Sequence, residues 1–307
     1  MLKSGFLSAA FFISSAVPFS QPYLNLMKIC NSISDTRREL EKLRSDGSRI
    51  ALVPTMGALH EGHLELIREG FHHADKVVVS VFVNPVQFGP NEDFETYPRE
   101  INKDSGKCRS EGVSLIFAPD AAEMYSSRKL SIEIEEMHRH MCGASRPGFF
   151  EGVLLVVNKL FNIIRPDAAL FGQKDIQQFQ LIRKMTEEFN HEIDLVMVPV
   201  IRANDGLALS SRNAYLSDEE RVIAPSLYRS LTYIEKQVAA GVNSPKMLMS
   251  HQRTELEEKG FKIDYLNLFD LQTLQPVERL SKGQKAVIAG AVWLGKTRLI
   301  DNILIQF

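Results

Sequence analysis

Two rhythms of apolar residues alternate between about residues 34 and 200. Some short segments are apolar at almost every position: Ile50-Ala51-Leu52-Val53, Val77-Val78-Val79-Ser80-Val81-Phe82-Val83 and Ala168-Ala169-Leu170-Phe171. Such runs suit strands covered on both faces, as in a parallel sheet. Further strands are predicted over 114–118 and 193–198. Between the strands, apolar residues recur at helical spacing and predict helices over 36–43, 59–74, 102–111, 153–164 and 175–189. Asp46-Gly47 reads as a turn, and Pro54 is expected to end the first strand because proline has no N–H for a ladder. Residues 84–98, rich in Pro, Gly, Asn and Asp, read as a loop. Strands alternating with helices imply a parallel sheet with helices on both faces, right-handed crossovers, and ligands at the carboxyl ends of the strands.

After about Arg202 the rhythm changes. Helices over 218–240 and 245–258 precede strands over 263–269, 285–293 and 297–305. The expected fold class is therefore α/β: a Rossmann-like domain with a parallel sheet over 27–201, and a smaller α+β C-terminal domain over 202–307. Residues 1–26 differ from the rest, with one cation, Lys3, and an apolar run over 6–18 broken by serines. That run is shorter than the roughly 20 residues that span a bilayer. It reads as a dispensable extension upstream of Met27 or as a targeting segment with a poor cleavage region.

Composition narrows the function classes. At 307 residues the chain is long enough for two domains. With 44% hydrophobic and 24% charged residues, disorder, collagen and coiled coil are excluded as the main architecture. Lys plus Arg is 36 and Asp plus Glu is 38, so the chain lacks the basic field of a nucleic-acid binder. Three scattered cysteines without a CxxC argue against a disulfide scaffold or a cysteine zinc site. They suit a reducing, cytoplasmic location.

Candidate chemistry collects where strands are expected to end. Pro54-Thr55-Met56-Gly57-Ala58-Leu59-His60-Glu61-Gly62-His63 lies between a strand and a helix. Gly57 lets backbone approach a ligand, and a helix start offers N–H groups to phosphate. His60 and His63 share one helical face. A metalloprotease site needs histidines four apart, and that position is Leu64 here. Asn84-Pro85-Val86-Gln87 follows the next strand and suits a small polar substrate. Phe171-Gly172-Gln173-Lys174-Asp175, with Gln177-Gln178 after it, places a cation at a helix start. Leu209-Ser210-Ser211-Arg212-Asn213 combines hydroxyls with a guanidinium. One motif is a decoy. Gly290 to Thr297 satisfies G-x-x-x-x-G-K-[ST], but its inner residues are apolar and only ten residues follow. A hairpin is expected there, because a phosphate loop needs a helix and an acidic metal strand after it.

In order along the chain, PTMGALHEGH, VFVNPVQFGPNEDFETYPR, RPGFFEGV, FGQKDIQQ, LALSSRNAYLS and GKTRLIDNI closely resemble the pantoate–β-alanine ligase (pantothenate synthetase) family. The resemblance implies a nucleotidyltransferase-type Rossmann domain, a C-terminal domain closing over ATP, and a homodimer. It implies that ATP, pantoate and β-alanine become pantothenate, AMP and pyrophosphate through pantoyl adenylate, with Mg²⁺. It assigns Met56, Gly57, Ala58, Leu59, His60, Glu61, Gly62 and His63 to the ATP site, with His63 as proton donor and His60 beside the phosphates. Gln87 and Gln178 would bind pantoate, Gln87 also β-alanine. Gly172, Gln173, Lys174 and Asp175 would hold the nucleotide, with Lys174 on its phosphates. Ile201, Leu209, Ser210, Ser211 and Arg212 would complete the ATP site. His60, His63, Lys174 and Arg212 are thus the expected catalytic residues, and no protein metal ligand is assigned.

Three positions depart from the family pattern. Phe149 stands where histidine is usual, Gln173 where glutamate is usual, and an acidic pair linked to metal reads Lys103-Asp104. Two rivals compete with the ligase reading: a nucleotide-binding module without catalysis, and another adenylating enzyme of the same superfamily. The four intact catalytic candidates argue against the first. The lack of an anticodon-binding region and of strong basicity argues against an aminoacyl-tRNA-synthetase-like ligase.

Overall fold

The computed structural model describes residues 27–90, 92–126, 130–242 and 244–307. The reading of residues 1–26 falls outside the described residues. In chain order the first unit comprises β1 (Lys28–Cys30), α1 (Ile33–Leu43), β2 (Ile50–Thr55), α2 (Glu61–His73), β3 (Lys76–Val81), α3 (Ile101–Ser110), β4 (Leu115–Phe117), α4 (Ala121–Tyr125), α5 (Met141–Ser145), α6 (Phe149–Ile164), β5 (Ala168–Gly172), α7 (Ile176–Glu188) and β6 (Asp194–Val198). The second comprises α8 (Asp218–Ile223), α9 (Ser226–Ala239), α10 (Pro245–Glu258), β7 (Lys262–Asp270), β8 (Lys285–Leu294) and β9 (Thr297–Gln306).

The first six strands form one parallel sheet in the order β1-β4-β3-β2-β5-β6. Its residues alternate between two cores. Ile50 and Leu52 face α1, α6 and α7 through Leu40, Leu160 and Ile182. Ala51 and Val53 face α2 and α3 through Leu66, Ile67 and Cys108. The expected α/β architecture is therefore present. The last three strands form a separate antiparallel sheet. One face packs on α9 and α10 through Leu231, Ile234 and Leu256. The other brings Phe269, Val287 and Ala289 against Met141 and Ile176 of the first unit.

The differences from expectation have local causes. Pro54 lies inside β2, paired in register with Ser80. Phe82 N–H donates to Thr55 O and Asp167 N–H to Ile50 O, so by alternation the nitrogen of Pro54 faces β5. The β2–β5 ladder covers only Ala51 and Leu52, so no bond is lost there. The helix expected over 218–240 is two helices, broken at Ala224-Pro225, where proline cannot continue the α-helical ladder. Helix α6 starts at Phe149, before the expected Val153, because Gly148 adopts φ 80° and turns the chain into the helix. The G-x-x-x-x-G-K-[ST] segment is a hairpin, with Leu294 and Thr297 paired across Gly295-Lys296.

Candidate active site

The parallel sheet reverses its strand order between β2 and β5, and a crevice opens at the carboxyl ends of such a pair. A cavity of about 810 Å³ occupies this place. Met56 follows β2 at its rim, Gly172 ends β5, and Trp293 and Lys296 reach it from the antiparallel sheet. Trp293 is 38% exposed.

The turn after β2 sets the histidines. Thr55 Oγ1 donates to Ser80 O at 2.8 Å and accepts from Gly57 N–H at 3.2 Å. Gly57 and Ala58 then take φ of 84° and 51°. This reversal delivers His60 as the N-cap of α2. His60 Nδ1 accepts from Gly62 N–H at 3.1 Å, and His63 Nδ1 accepts from His60 N–H at 3.3 Å. The two imidazoles thus act as the polar pair of a capping box, their centroids 4.1 Å apart. A nitrogen that accepts from an amide carries no proton, so in each neutral ring Nε2 holds it. Burial, then Lys174, pushes His60 down to about 4. Burial, then His60 and Lys174, pushes His63 down to about 3. At neutral pH both rings offer an N–H donor rather than a positive charge.

The other walls carry paired and unpaired charge. Arg212 grips Asp93 (Nη2–Oδ1 2.9 Å), and Arg146 grips Glu92 (Nη2–Oε2 2.5 Å). Arg298 holds Asp264 at 2.6 Å. Asp301 is held by Arg202 at 2.5 Å. Among the described residues, the cavity-lining Lys174, Lys296 and Asp175 have no ion-pair partner. Asn302 Nδ2 donates to the backbone oxygens of Gln173 (2.9 Å) and Lys174 (3.0 Å), tying the lysine's backbone to β9. Gln87 is buried, donates to Met56 Sδ at 3.0 Å, and accepts from Asn84 Nδ2 at 3.1 Å.

Comparison with known proteins places this cavity in context. The family model described as pantoate-beta-alanine ligase matches residues 28–304. The chain belongs to the pantoate–β-alanine ligase family. A pantothenate synthetase from Thermotoga petrophila is 45% identical over 91% of this chain and 100% of its own length. A pantoate–β-alanine ligase from Schizosaccharomyces pombe is 46% identical over 87% of this chain and 94% of its own. The pantothenate synthetase structure from Thermus thermophilus superposes with TM-score 0.83 at 38% identity, covering 90% of this chain and 99% of that one. A Francisella tularensis pantoate–β-alanine ligase, solved with βγ ATP and β-alanine, gives TM-score 0.75 at 33% identity over 91% and 97% of the two chains.

Most residues named from the sequence meet in the one cavity. Met56, His60, Gly62, His63, Gln87, Gly172, Lys174, Asp175, Gln178, Ile201, Leu209, Ser210, Ser211 and Arg212 all line it. Gly57, Ala58, Leu59, Glu61 and Gln173 do not line it. The N–H groups of Ala58 and Leu59, two residues that the resemblance assigns to the ATP site, are taken by the Asp104 carboxylate. Glu61 turns outward to Arg68. Gln173 Nε2 donates to Asn302 Oδ1 at 3.2 Å, a bond that the family's glutamate could not give. The departure at Phe149 keeps an aromatic face, which lies 3.5 Å under the Arg146 guanidinium. Sequence reasoning missed the carboxylates that hold Arg146, Arg212 and Arg298. Their partners lie 34 to 119 positions away, beyond any local pattern.

The neutral histidines make stability pH-dependent. Their folded pKa values lie below the ordinary 6.5, so between pH 6.5 and about 4 the unfolded chain binds protons that the folded chain refuses. Stability should therefore fall as pH drops through that window, by up to about 1.4 kcal/mol per pH unit for each histidine. Urea unfolding of the parent and of His60→Asn/His63→Gln checks this. The double variant should show the shallower pH slope; equal slopes would contradict the assignment.

Proposed function

We propose that this chain condenses (R)-pantoate with β-alanine at the expense of ATP, through pantoyl adenylate, releasing AMP and pyrophosphate. The carrying observation is the juxtaposition, in one cavity of a family member, of two neutral Nε2–H imidazoles with the unpaired ammonium of Lys174. Pantoate's carboxylate attacks the α-phosphorus of ATP, and both partners are anions. Lys174 supplies the standing positive charge, while His60 and His63 donate hydrogen bonds to phosphate oxygens as charge builds on them. Arg212 gives Nε and Nη2 to Asp93, which leaves the N–H groups of Nη1 for a phosphate oxygen. The adenylate is a mixed anhydride that water destroys. Residues 202–307 act as the cover that excludes water, and residues 27–201 as the body that binds ATP and pantoate. Gln87 and Gln178 orient pantoate, and the neutral amine of β-alanine then attacks the acyl carbon and expels AMP.

The resemblance also carries Mg²⁺ and a homodimer. A cation brought in on the triphosphate would meet one cavity carboxylate without an ion pair, Asp175, among the described residues. Among the described residues no helix is long and apolar enough to cross a membrane, and the three cysteines are free and buried.

The test is ATP–pyrophosphate exchange with (R)-pantoate, other hydroxy acids and amino acids offered in turn. Exchange with pantoate alone, followed by AMP release on adding β-alanine, is expected. Exchange with a different acid would change the substrate, and ATP binding without exchange would favour a non-catalytic module.

A further inference from the structure

One buried carboxylate beside the site has no part in the chemistry above. Asp104, on α3, is 2% exposed. Its Oδ2 accepts from Ala58 N–H at 3.0 Å and its Oδ1 from Leu59 N–H at 2.8 Å. One turn further along α3, Lys107 Nζ donates to the backbone oxygen of Leu59. Helix α3 therefore grips Leu59 by both its N–H and its carbonyl. The gripped segment is strained, because Ala58 carries a side chain at φ 51°. Such a conformation persists where neighbours over-determine it. A Cβ built on Gly57 would lie 3.0 Å from Asp104 Oδ2, so the carboxylate fits closely under the turn. His60, the N-cap of α2, follows immediately.

The same contacts do not suit a metal ion. Each Asp104 oxygen already accepts a backbone N–H, and the carboxylate is buried behind the turn and does not line the cavity where a nucleotide-borne cation would sit. The neighbouring Lys103 points its ammonium at Glu100, 2.5 Å away on the exposed side of the helix. We propose that Asp104 and Lys107 are positioning residues that clamp the 57–59 turn and so aim His60 and His63, and that Asp104 is not a metal ligand. The proposal rests on the reading that these histidines meet the nucleotide's phosphates.

Asp104→Asn keeps the shape, removes the charge and sets an amide donor against a backbone donor. In EDTA, its affinity for metal-free ATP, measured by calorimetry, should fall about tenfold. The exchange kcat should fall by about 10- to 100-fold. The Mg²⁺ concentration for half-maximal exchange and the KM for pantoate should stay as in the parent. A raised Mg²⁺ requirement with parental affinity for metal-free ATP would overturn the proposal and make Asp104 a ligand. Lys107→Met leaves the carboxylate in place and serves if the first variant does not fold. It should lower exchange kcat several-fold at an unchanged Mg²⁺ requirement, and parental kcat would remove Lys107 from the clamp. Calorimetry with ATP tests the clamp even if the parent exchanges with no pantoate, so the two readings can fail separately.

Discussion

Replacing His63 by alanine should slow adenylate formation by about 10²–10³, the cost of one lost donor to a developing oxyanion. The ring does two jobs, and they separate. Its Nδ1 accepts from His60 N–H, which stabilises the start of α2. Its Nε2–H is the part that the proposed chemistry uses. Losing the cap should cost about 1 kcal/mol of stability. His63→Gln supplies a capping acceptor again and should recover that stability, while its amide N–H, a donor in a different place from Nε2–H, should recover the rate only in part. Single-turnover formation of adenylate, read beside urea unfolding, checks both. Near-parental turnover in His63→Ala would remove the residue from the mechanism.

The second large effect is expected at a residue with no functional group. Gly152 lies in α6 where the chain after β3 crosses it. A methyl group there would sit 2.7 Å from Val86 O and 2.8 Å from Gln87 N and Cα. These are backbone atoms, so no rotamer change relieves the contact. Asn84 Nδ2 also donates to Gly152 O at 3.0 Å, which fixes the two segments together. Gly152→Ala should therefore destabilise the fold by about 1–3 kcal/mol through overpacking. It should also push Gln87 out of place, and an ångström-scale misplacement can cost on the order of 10² in rate. The loss should fall on kcat/KM for pantoate, with ATP affinity nearly unchanged. An unaltered KM for pantoate would show that α6 does not position Gln87.

The sheet and its helices were legible because burial on both faces demands unbroken apolar runs, and β2, β3 and β5 carry them. The ends were less legible. β1 has three residues, too few to show any period. Gly148 and Gly152 both weaken the helical signal at the start of α6, yet one turns the chain and the other admits a close backbone contact. For the site, the motifs at strand ends converge on one cavity because topology places those ends together. What the sequence hid was charge pairing across distance. Asp93 and Arg212 are 119 positions apart, and Asp104 and Leu59 are 45 apart. Neither spacing has a local signature. The electrical state of the histidines was hidden for the same reason, since it comes from enclosure and from Lys174 rather than from the HEGH pattern.

The chain contains a single tryptophan, and the fold puts it on the cavity wall at the end of β8, in register with Arg298. All indole emission from the molecule therefore arises at one spot beside the proposed reaction. Its wavelength follows the local polarity, so filling of the cavity by any of the three substrates can be watched in stopped flow without a dye. The far side of the parallel sheet is silent in that channel, which makes the readout local by construction.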